Sequence, residues 1–107
     1  MKKIVIATLM FISTSVFAYN DDPAELFSTA SNVTTESKIK WVSVNDVTAQ
    51  CNRERSAKGQ AGFNAKLKAC SFWDDNHTSC TIITGKNVNM HTIGHEMRHC
   101  FQGDWHQ

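Results

Sequence analysis

The sequence has only one long hydrophobic run, and it lies at the very start, so no later segment is apolar enough to span a membrane. It has no excess of positive charge. With Lys2 and Lys3 set aside, nine basic residues face ten acidic ones, which removes any electrostatic drive toward nucleic acid or an anionic membrane. No C-x-x-C pair is present, so the four cysteines do not read as a zinc-ribbon ligand set. There is one proline, Pro23, and one tyrosine, Tyr19, both near the start, and no internal repeat. No phenol is therefore expected near chemistry in the C-terminal half.

The opening run has its own meaning. Lys2 and Lys3 precede an apolar stretch from Ile4 to Phe17, and Val16-Phe17-Ala18 closes it with small residues at the recognition positions. This reads as a secretory signal peptide over residues 1–18, too short for a span, with cleavage after Ala18. The remaining 89 residues make one small domain, whose core is marginal at that size. Residues 19–37, rich in Asn, Asp, Ser and Thr, read as a loose lead-in, with a helical turn at Ala24–Phe27 as the alternative there. Residues 38–107 then form the folded domain. The expected protein is exported, periplasmic or secreted, and free of the membrane after cleavage.

An even cysteine count in an exported chain reads as two disulfides among Cys51, Cys70, Cys80 and Cys100. Three pairings are possible, and sequence alone does not decide among them. Cys70 and Cys80 lie symmetrically about Asp75 in a hairpin-like segment, which favours joining them and leaves Cys51 for Cys100.

Periodicity supplies the elements. Lys38 to Val44 alternates as a strand, and Asn45 or Asp46 caps a helix from Val47 to about Ser56. Cys70–Trp73 and Cys80–Thr84 flank the polar turn Asp74-Asp75-Asn76-His77 as a hairpin. Met90 to about Phe101 reads as a helix with Gly103 as its left-handed cap. The expected class is α+β: a small, mostly antiparallel sheet with two helices on one face, stapled by disulfides.

The last helix carries the chemistry. At 100° per residue, Ile93, Met97, Cys100 and Phe101 form one stripe, expected to face the core. His95 and His99 fall about 140–160° from Met97, so a second face presents two imidazoles one turn apart. That spacing lets both rings reach one Zn²⁺. Glu96, beside the first histidine, is suited to accept a proton from a water whose pKa zinc lowers to about 7. His95-Glu96-Met97-Arg98-His99 is thus the H-E-x-x-H pattern of zinc metallopeptidases. A catalytic zinc takes three protein ligands and one water, and His106 follows the Gly103 turn as the expected third.

Other residues read more plainly. His91 is too far along the helix from His99 to share its ion, and is expected as a supporting or exposed residue. Asp104 reads as an exposed turn residue, His77 as a turn residue with an electrophile as the alternative, and Phe101 and Trp105 as packing.

The string from His95 to His106 resembles the extended zinc signature of metzincins, H-E-x-x-H-x-x-G-x-x-H, with one extra residue between His99 and Gly103. More of the chain is similar to small, exported metallopeptidase-like proteins of proteobacteria. The likeness rests on Trp41 to Val44, the four cysteines, Cys80-Thr81-Ile82, and the segment from Gly94 to His106. It implies a minimal zincin-like domain in which His95, His99 and His106 bind zinc and Glu96 is the general base, acting on a peptide or protein substrate. The alternative is a non-catalytic exported module, either zinc-binding or simply disulfide-stapled.

Overall fold

The computed structural model describes residues 26–104. The signal-peptide reading, Tyr19, Pro23, Trp105 and His106 lie outside the described residues. The class is α+β, with elements in the order β1 (Lys38–Ser43), α1 (Val47–Ala57), β2 (Ala69–Trp73), β3 (Ser79–Thr84) and α2 (Met90–Gln102). Each begins and ends within a residue or two of the place that the sequence pattern marks. Asp46 caps α1 by accepting from the Ala49 amide at 3.0 Å, and Asn89 caps α2 by accepting from the Thr92 amide at 2.7 Å.

The sheet is mixed. Its strand order is β1-β3-β2, with β1 parallel and β2 antiparallel to the central strand β3. One interface of each kind replaces the mostly antiparallel arrangement expected. A parallel β1–β3 pair needs a long connection, and α1 together with β2 supplies it.

The β2–β3 register corrects the disulfide pairing. Cys70 stands opposite Ile83, and Cys80 stands opposite Trp73. Cys70 is therefore three residues from the partner of Cys80, and successive side chains alternate in face, so the two cysteines point to opposite sides of the sheet. They do not join each other. The bridges are Cys51–Cys70 and Cys80–Cys100. Each closes a loop of about 20 residues (separations of 19 and 20), for which the chain-entropy model gives about 3 kcal/mol.

The same alternation separates two cores. On one face, Cys51 of α1 packs with Leu67, Cys70, Phe72 and Ile83. On the other, Cys100 of α2 packs with Trp73, Cys80 and Ile82, joined by the half-buried Met97 and Phe101. Each helix is stapled to its own face of the sheet rather than sharing one with the other. The loop after α1 runs back along it, with the Phe63 amide donating to Asn52 at 2.7 Å and the Leu67 amide to Thr48 at 2.8 Å.

The lead-in is partly fastened. A single 3-10 turn at Thr29–Ser31 lies against the end of α2, where the buried Gln102 donates to the Ser28 carbonyl and to Asn32 Oδ1, both at 2.8 Å. The Val33 amide donates to the Phe101 carbonyl at 2.8 Å.

Candidate metal and catalytic site

α2 presents more of its circumference to the interior than the apolar stripe alone implies. Ile93 and Cys100 are buried as expected, but so are Thr92, His95, Glu96, His99 and Gln102. The expectation that the histidines occupy a face turned from the core is corrected. Two forces widen the buried arc. The Cys80–Cys100 bridge draws the helix onto the sheet, and Ser71 gives the Glu96 carboxylate a partner inside. Burying a charged group without such a partner is prohibitively costly.

Glu96 is fully buried, and its Oε1 accepts a hydrogen bond from Ser71 Oγ at 2.8 Å. Ser71 lies in the middle of β2, on the face that α2 covers. The sheet thus holds one oxygen of the carboxylate.

His99 is also fully buried. Its Nδ1 lies 2.7 Å from the Gly103 carbonyl oxygen. A carbonyl can only accept, so Nδ1 carries the proton and, in the neutral ring, Nε2 keeps its lone pair. That is the tautomer in which an imidazole binds a metal through Nε2 while a backbone carbonyl fixes the ring. Gly103 makes this possible: its φ of +68° and ψ of −141° suit a residue without a side chain, and its amide closes the helix on the His99 carbonyl at 2.8 Å.

His95 is one turn earlier. The His95 and His99 ring centroids are 5.0 Å apart with their planes at 69°. His99 is further braced by Trp73, whose ring lies 5.6 Å away and only 7° from parallel. The third expected ligand, His106, is outside the described residues. Among the described residues, no group of three or more His, Cys, Asp or Glu is arranged to hold a metal ion. The structure therefore brings the His95 and His99 rings together, with Glu96 buried on the same helix.

The remaining candidates separate clearly. All four cysteines are in disulfides, so none offers a thiolate. His91 is half-buried, and Asp104 is exposed, as expected of a turn residue. His77 occupies the hairpin turn with a φ of +58°. Asp74 organises that turn, accepting from the Thr78 amide at 2.8 Å and the Thr78 hydroxyl at 2.6 Å. The Thr78 hydroxyl holds the Asp74 carboxyl below the usual range, against the opposing effect of burial and with the help of the Ser79 groups and the Thr78 amide.

No family model, curated protein or solved structure matches this chain. What the site can do therefore rests on its own geometry.

Three neighbours of the site carry no mark in the sequence. Ser71 and Trp73 meet α2 only because β2 pairs with β3 in one particular register, and Gln102 reads as an ordinary last-turn residue. The alternation of β2 could have flagged Ser71 as a polar residue on the side of Trp73, but not its partner.

Proposed function

We propose that this chain is an exported zinc-dependent hydrolase, most simply a peptidase, with His95, His99 and His106 as metal ligands and Glu96 as general base. The observation that carries the reading is the hydrogen bond from His99 Nδ1 to the Gly103 carbonyl, which puts the ring proton on Nδ1 and, in the neutral ring, the lone pair on Nε2. His95, one turn away, offers a second imidazole, and the Gly103 turn starts the tail that bears His106. A donor set of imidazoles suits zinc. When bound there, zinc would supply a Lewis acid for a scissile carbonyl and a lowered pKa for water.

The rest of the chemistry belongs to the chain. Glu96 takes a proton from the attacking water and returns it to the leaving amine. Ser71 fixes one carboxylate oxygen, so the rotation of Glu96 is set before substrate arrives. His99 is held by a carbonyl on one side and by Trp73 on its face, which limits the reorganisation needed on metal binding. Two disulfides in so small a domain suit an oxidising compartment, and with the signal-like N-terminus they support export to the periplasm or beyond. Peptide or protein is the substrate class; nucleic acid and membrane lipid are not.

A second reading is favoured by one observation, the complete burial of Glu96 and His99. A closed zinc site would stabilise a small domain without catalysing anything. Glu96→Gln separates the two. A hydrolase loses peptide cleavage by two or more orders of magnitude and keeps its zinc. A structural zinc module cleaves no member of a broad peptide library in either form.

A further inference from the structure

We propose that His77 is a positioning residue for His99, acting through Trp73 and Gly103. Its functional meaning rests on the zinc reading above, but its physical content concerns the metal-free protein. Four observations converge on it. His77 sits at φ +58°, in the left-handed region that few non-glycine residues occupy. Its ring stacks on Trp73, with centroids 6.3 Å apart and planes 18° from parallel. Trp73 is in turn stacked on His99 at 5.6 Å.

The fourth contact closes the path from the other side. A Cβ built on Gly103 would come within 3.2 Å of His77 Cε1, so the ring is seated directly against the glycine whose carbonyl accepts the His99 proton. His77 therefore touches two groups that hold His99: the indole on its face and the residue that supplies a hydrogen-bond acceptor to its Nδ1. Its own Nδ1 is buried with no hydrogen-bond partner among the described residues. The ring packs against Trp73 and Gly103, as a wedge behind the Gly103 turn would. Among the described residues, His77, His95 and His99 do not form a group that could hold a metal ion.

The test uses the mature, disulfide-bonded chain and two variants, His77→Gly and His77→Phe. The readouts are the imidazole ¹⁵N chemical shifts of His99 in the metal-free protein, zinc affinity, and Tm. In the wild type, His99 should show a protonated Nδ1 and an unprotonated Nε2. His77→Gly removes the wedge but suits the positive φ, so Tm should hold or rise. His99 should then exchange between tautomers, and zinc should bind on the order of 10-fold or more weakly. His77→Phe keeps the packing and should match the wild type in both respects. A His77→Gly protein with His99 still in one tautomer overturns the proposal, as does a His77→Phe protein that behaves like His77→Gly. If the tautomer responds as described while even the wild type binds no zinc, the positioning role stands and the zinc reading falls.

Discussion

Ser71 Oγ donates to Glu96 Oε1 across 25 residues of sequence, tying the middle of an edge strand to the carboxylate at the heart of the candidate site. This bond joins fold and chemistry. The same interaction that lets an acidic residue be buried on α2 also fixes the carboxylate in one orientation.

Ser71→Ala is expected to cost about 1–3 kcal/mol, the usual penalty for removing a buried donor from its acceptor. In a domain of this size each kcal/mol lowers Tm by about 4–8 °C, so thermal unfolding will resolve it. Adding Glu96→Gln to Ser71→Ala should cost less than the sum of the two single changes, because the partners act as a pair. Strictly additive losses would mean that the contact contributes nothing.

The disulfides offer a covalent check of the strand register. Trypsin with Asp-N, under non-reducing conditions, cuts between Trp73 and Asp74 and so separates Cys70 from Cys80. Mass spectrometry should find the Cys51 peptide joined to the one ending at Trp73, and the Cys100 peptide joined to the one carrying Cys80. Removing either bridge as a paired Cys→Ser change should destabilise the domain by about 2–5 kcal/mol. A Cys70–Cys80 link would contradict the register and the assignment of helices to separate faces.

Much of this architecture is legible in the sequence, and the gaps have physical causes. The strand at Lys38, the helix capped by Asp46 and the helix running from Met90 to the Gly103 turn all follow from local patterns. The cysteine pairing does not, because it depends on where the hairpin folds. Symmetry about Asp75 would place Cys70 opposite Cys80, whereas pairing Trp73 with Cys80 shifts the axis by one and a half residues and sends them to opposite faces. The orientation of α2 is likewise invisible to apolar periodicity. Glu96 and His99 count as polar, yet both are buried, because their partners Ser71 and Trp73 lie elsewhere in the chain. The chemical residues are readable; the groups that hold them are not.

Asp74 gives a pH dependence of definite sign. Its carboxyl is held below the ordinary value, chiefly by the Thr78 hydroxyl, so it binds its proton less readily folded than unfolded. The stability it contributes is complete above the unfolded pKa of about 3.9 and is lost as pH falls through the lower folded value. The stability gap between wild type and Asp74→Asn should therefore be constant near neutrality and shrink below about pH 4. Urea titrations of both proteins at pH 6 and pH 3 will read it. A gap that widens toward acid would contradict the assignment.

The most direct measurement of the central claim is the metal content and affinity of the mature chain, prepared without a histidine tag and loaded with zinc. The account predicts one zinc per chain, lost in His95→Ala, His99→Ala and His106→Ala alike, and retained in Glu96→Gln. A protein that binds no zinc, or one whose zinc survives the loss of His95 or His99, would contradict it.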